Sequence, residues 1–147
     1  MNNQAESKKA VIFDFMRTIY DPETDSLIPF AKELIEKASK SYDCFLVSKN
    51  GEGRNDLIDS LGIASFFKKA YFVDKKTPDL FTEIVGNGRD VVYVIGDRIE
   101  GEIKIGNQVG YTTIWFKNGK FSNRGPESED EYPAHTVISL EEVLVLL

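Results

Sequence analysis

Three polar residues close three apolar runs in this chain. Asp14 follows VIF (11–13), Ser48 follows CFLV (44–47), and Gly96-Asp97 follows VVYVI (91–95). Each alone has an ordinary structural use: a strand-end aspartate caps a turn, a Gly-Asp pair satisfies loop N–H groups, and a serine starts a helix. Together they deliver two carboxylates and a hydroxyl to one edge of one sheet, provided the three runs are neighbouring parallel strands. That edge is where open parallel sheets gather their functional groups.

The sequence supports that provision. Short runs rich in Val, Ile and Phe, apolar without alternation, suit strands covered on both faces. The strand candidates are 11–14, 43–48, 70–73, 91–96, 111–116 and 136–138. Helical stretches alternate with them. Pro29 opens one, with Phe30, Leu34, Ile35 and Ala38 as its apolar stripe. A short helix fits near 53–61. Thr77-Pro78 caps and opens another over 77–85, with a stripe of Leu80, Phe81, Ile84 and Val85. A further helix fits 99–109 and stops at Gly110, and SLEEVLVLL (139–147) makes a terminal helix capped by Ser139. The alternation predicts an α/β fold with a mainly parallel sheet and right-handed crossovers. The chain reads as one domain over 1–147, with 1–9 as a flexible N-terminal extension and the polar segment 117–135 as a surface loop.

The chain has 147 residues, long enough for one domain with a substantial core, and carries 24 acidic against 18 basic residues for a net charge of −6. That balance argues against a general nucleic-acid binder, which needs clustered Lys and Arg. No apolar run approaches the roughly 20 residues that span a bilayer, and the polar start does not read as a secretory signal. Cys44 is the sole cysteine, which excludes an internal disulfide or a zinc cluster and suits a cytoplasmic protein.

Asp14-Phe15-Met16-Arg17-Thr18 after an apolar strand resembles the first motif of the haloacid dehalogenase superfamily. Ser48 with Lys49-Asn50 resembles the second, Lys75-Lys76-Thr77-Pro78 the third, and Gly96-Asp97 with Glu102 five residues on the fourth. The motifs occur in the family's order, and the likeness runs from about residue 10 to the C-terminus. It implies a three-layer Rossmann-like sandwich and phosphoryl transfer through Asp14 as nucleophile. It also implies that Ser48 bonds a phosphoryl oxygen and that Lys76 offsets its charge, with Lys75 as the register alternative. Thr18, Lys49 and Asn50 would join the phosphate site. A Mg2+ ion would lie between Asp14, the Met16 backbone carbonyl and Asp97, with Glu102 acting through water.

One residue departs from the pattern. Two positions after the nucleophile, phosphatases of the family carry a second aspartate that protonates the leaving group and then activates water. Here that residue is Met16, and a thioether does no acid–base work. General acid–base catalysis contributes typically about 10² to 10⁴-fold, so three readings stay open: a phosphohydrolase whose substrate needs no acid or finds one elsewhere, a phosphate-binding or regulatory module without turnover, and dehalogenase-like chemistry. The intervals from Thr18 to Pro29 and from Ser48 to Lys76 are too short for a cap domain, so the resemblance implies an open site and a phosphorylated substrate that need not be small. His135, Cys44, Tyr111, Trp115 and Phe116 read as surface or packing residues.

Overall fold

A computed structural model describes residues 7–147. It contains β1 (Lys9–Asp14), β2 (Tyr20–Asp21), β3 (Ser26–Leu27), α1 (Ala31–Ser39), β4 (Asp43–Lys49), α2 (Arg54–Ser60) and β5 (Lys69–Val73). There follow α3 (Pro78–Val85), β6 (Val91–Gly96), α4 (Lys104–Gln108), β7 (Thr112–Phe116), β8 (His135–Val137) and α5 (Leu140–Leu146). Six strands form one sheet in the order β5-β4-β1-β6-β7-β8, all parallel, while β2 and β3 pair as a small antiparallel hairpin. This is the expected α/β Rossmann-like sandwich.

The unbroken apolar character of β1 follows from its place in the middle of the sheet. Val11 and Phe13 join one core with Leu34, Ile35, Leu46 and Ile63. Ala10 and Ile12 join the other, with Val47, Phe81, Ile84 and Val94. Both faces are covered, so between Lys9 and Asp14 no position on the strand is left for a polar residue. Caps fall where the residue types placed them. The Thr77 hydroxyl accepts from the Leu80 amide at 3.1 Å, and Ser139 with Glu142 forms a reciprocal capping box at α5.

Three local expectations change. Phe30 is not in the α1 stripe: it precedes the helix in a left-handed conformation (φ 70°) and is 37% exposed. The stripe begins at Ala31. The 99–109 helix is split into a π-helical turn over Ile99–Ile103, broken at Gly101, and α4. Residues 7–9 are tied to the fold, because Lys9 starts β1 and the Ser7 amide donates to Asp43 Oδ2 at 2.9 Å. The rest of the expected N-terminal extension, residues 1–6, lies outside the described residues. Among the described residues, 15–30 holds the β2–β3 hairpin and 50–68 holds α2 and a 3-10 turn, neither of them a domain. None of the described helices is long and apolar enough to cross a membrane.

Candidate active site

Parallel pairing of β1 with β6 (Phe13 beside Ile95) brings Asp14 and Asp97 side by side at the carboxyl edge of the sheet. Both are buried. The Trp115 indole on neighbouring β7 donates to the Asp97 carbonyl at 3.0 Å, fixing the backbone as it leaves β6. Glu102, on the π-helical turn, folds back over Gly96. A Cβ at Gly96 would lie 2.8 Å from Glu102 Oε2, so only glycine leaves room for that carboxylate. Carboxylate oxygens of Asp14, Asp97 and Glu102 lie within 4.8 Å of one another.

Lys76 enters this group just before the α3 cap. Its Nζ donates to Asp14 Oδ1 at 2.6 Å and to Glu102 Oε1 at 2.6 Å, while the Thr18 hydroxyl donates to Asp14 Oδ2 at 3.0 Å. Burial by itself would raise the Asp14 carboxyl, but the Lys76 charge and hydrogen bonds from Asp97, Lys76 and Thr18 together hold it below its ordinary value. Burial works to discharge Lys76, and the charges of Asp14 and Glu102 outweigh it and hold the amine protonated. Asp97 is pushed up to about 9 by burial and by the adjacent Asp14, with Glu102 adding to the effect. One lysine thus faces three carboxylates. Asp97 Oδ2 and Glu102 Oε2 are, among the described residues, the two buried side-chain atoms without a hydrogen-bond partner. An all-oxygen donor set with unmatched negative charge suits a hard divalent cation.

A cleft of about 580 Å³ opens above this floor. Met16 lines it, and the structure places a thioether there, two residues from Asp14. Of the two candidate lysines, Lys76 reaches Asp14, whereas Lys75 lines the cleft wall and is exposed. Lys49 also lines the wall. Thr18, Ser48 and Asn50 are not among the residues that line the cleft. Thr18 is wholly buried beneath Asp14 and serves to orient it. The Ser48 hydroxyl accepts from Arg54 Nη1 at 2.7 Å and donates to the Lys49 carbonyl at 3.1 Å. The Asn50 amide reaches outward to Asp74 at 3.2 Å.

Arg17, which the sequence offers beside Thr18 as added positive charge near the mouth of the site, lines the cleft, and sequence reasoning missed Arg54, Arg98 and Phe121, which line it too. Arg98 lies over the Phe121 ring at 4.3 Å and Arg17 at 5.8 Å. Arg17 sits at φ 64°, an uncommon conformation for a non-glycine residue. Phe121 belongs to the segment read as a plain surface loop. Cys44 is buried, and desolvation pushes its thiol up to about 12, consistent with a packing role.

A HAD-hydrolase-like family model matches residues 73–143. A glyceraldehyde 3-phosphate phosphatase of Methanopyrus kandleri is 27% identical over 92 residues, covering 57% of this chain and 40% of that protein, so the match spans well under half of the relative. Among solved structures, a haloacid dehalogenase-like hydrolase of Burkholderia xenovorans superposes with a TM-score of 0.79 at 10% identity, covering 97% of both chains. The HAD-hydrolase YfnB of Bacillus subtilis, bound to magnesium, superposes at 0.68 with 23% identity, covering 82% of this chain and 56% of that one. These structural likenesses are likenesses of fold.

Proposed function

We propose that the chain is a member of the haloacid dehalogenase superfamily, whose hydrolase-like model matches residues 73–143, and that it is a Mg2+-dependent phosphohydrolase that takes a phosphoryl group onto Asp14. One observation carries the reading: on the cleft floor, Asp14 is kept ionised by Lys76 and Thr18 beside two more carboxylates, two of whose oxygens are unpartnered. Asp14, Asp97 and the Met16 carbonyl would hold Mg2+, with Glu102 acting through water. When bound, the cation would neutralise charge on the phosphoryl oxygens.

The remaining work falls to the chain itself. An Asp14 oxygen attacks phosphorus in line with the leaving oxygen; the new O–P bond forms as the old one breaks, and the leaving group departs with the electron pair. Lys76, held protonated, offsets charge on the transferred group. Thr18 holds the Asp14 carboxylate in orientation. Water then cleaves the aspartyl-phosphate. Met16 can neither donate a proton to the leaving oxygen nor take one from water, so the reading restricts turnover to leaving groups that depart as stable anions, aryl and acyl phosphates among them. Among the described residues, 15–30 and 50–68 hold no domain, which supports an open site and a phosphorylated substrate that need not be small.

The test is hydrolysis of p-nitrophenyl phosphate and acetyl phosphate with Mg2+ by wild type, Asp14→Asn and Met16→Asp. Turnover in wild type that falls by about 10³-fold or more in Asp14→Asn is the expected result. The thioether facing the cleft favours a second reading, a phosphate-binding module without turnover. Silence in wild type with activity appearing in Met16→Asp would select it. Dehalogenase-like chemistry draws no support from a cleft lined by Arg17, Lys49, Arg54, Lys75 and Arg98.

A further inference from the structure

Resting on that phosphoryl-transfer reading, we propose that the β4–β5 side of the cleft is a second anion subsite. The substrate is then a phosphomonoester whose leaving portion bears a carboxylate or a second phosphate. Lys49 ends β4, Lys75 follows β5, and Arg54 begins α2 beside them; all three line the cleft. Lys49 and Lys75 are exposed and form no ion pair among the described residues. Asp74 is the acid of this wall, and its carboxylate is engaged by the Asn50 amide. The wall therefore carries net positive charge on a chain whose net charge is −6.

The opposite wall differs. There Arg17 faces Glu23 at 3.6 Å, and Arg98 is bound to Glu100 at 2.6 Å. Those cations are already matched, and Lys76 on the floor is shared by Asp14 and Glu102. Unmatched charge in the cleft is thus concentrated at Lys49, Arg54 and Lys75.

Arg54 is also built into place. Its Nη1 donates to Ser48 Oγ at 2.7 Å and to the Lys49 carbonyl at 2.8 Å. Its guanidinium lies so close over Gly51 that a Cβ there would come within 2.8 Å of Nε. One edge of the guanidinium is anchored, and Nε and Nη2 have no hydrogen-bond acceptor among the described residues. A planar fork held this way loses little freedom when it accepts a carboxylate or phosphate. Ser48 positions Arg54 in this arrangement.

Non-hydrolysable probes test the proposal by calorimetric binding in excess Mg2+: ethylphosphonate with one anionic group, 3-phosphonopropionate with an added carboxylate, and propane-1,3-diphosphonate with a second phosphonate. Wild type is expected to bind at least one two-anion probe about tenfold or more tighter than ethylphosphonate. Which probe gains tells carboxylate from phosphate. In Arg54→Ala that preference should shrink to about threefold or less. Lys49→Glu/Lys75→Glu, which changes exposed side chains and spares the packing under Arg54, should abolish it. Equal binding of all probes by wild type, or a preference that survives in Lys49→Glu/Lys75→Glu, overturns the subsite and leaves the phosphoryl-transfer reading standing. Failure of every probe to bind overturns both.

Discussion

Two buried acidic sites sit at opposite edges of the same sheet, and they are built on opposite plans. At the amino edge, Asp43 opens β4 and is enclosed by cations and donors. Arg89 Nη1 approaches Oδ2 at 2.5 Å, the Ser7 amide donates to the same oxygen at 2.9 Å, and Lys68 lies 3.6 Å from Oδ1. At the carboxyl edge, Asp14, Asp97 and Glu102 share one lysine and keep two oxygens without partners. The first site is closed and neutralised by the protein. The second is assembled with charge left over, an arrangement that costs stability until something binds there. A carboxylate that the chain satisfies completely stabilises the fold; a cluster that it leaves unsatisfied is available for chemistry.

The sharpest way to break this comparison is to delete one acid at each edge. Asp43→Ala leaves Arg89, 4% exposed at its side chain, without this carboxylate, and should cost about 3 to 5 kcal/mol in urea unfolding. Asp97→Asn should unfold no more easily than wild type in Mg2+-free buffer at neutral pH, because burial and the adjacent Asp14 push the Asp97 carboxyl up to about 9 and its charge is disfavoured in the fold. If both variants lost the same stability, the two sites would not differ in kind.

Added Mg2+ should raise the stability of wild type, by about 2.7 kcal/mol at a hundredfold excess over its dissociation constant, read as a rise in thermal midpoint. Asp97→Asn should lose most of that rise. Asp43→Ala, although less stable, should keep it. A smaller effect sharpens the geometry: Gly96→Ala drives a methyl group into Glu102, and should weaken the Mg2+ response about tenfold while leaving the strand intact.

Much of this contrast was legible in the sequence, and the parts that were not have a common cause. Apolar runs ending in Asp14 and Asp97 announce central strands because a strand covered on both faces has no other place for a carboxylate. Lys76 was legible through its Thr77-Pro78 helix start, although only the fold separates it from Lys75. Arg54 was hidden: six residues from Ser48, it is joined to it only because the chain turns at Gly51 to let the guanidinium lie flat. Phe121 was hidden in a polar loop whose return over the cleft is a tertiary event. Phe30 fitted a helical period, yet the helix starts one residue later. Periodicity locates elements; it does not report which side chain a loop carries back to the sheet edge.

The central claim is that Asp14 accepts a phosphoryl group that the neighbouring Met16 is ill suited to release. Intact-protein mass spectrometry after incubation with acetyl phosphate and Mg2+, with acid quenching, tests it directly. The account predicts that wild type gains the mass of one phosphoryl group, that the adduct maps to Asp14 and is absent from Asp14→Asn, and that Met16→Asp clears it faster. Turnover of acetyl phosphate without any adduct, and undiminished in Asp14→Asn, would contradict the account.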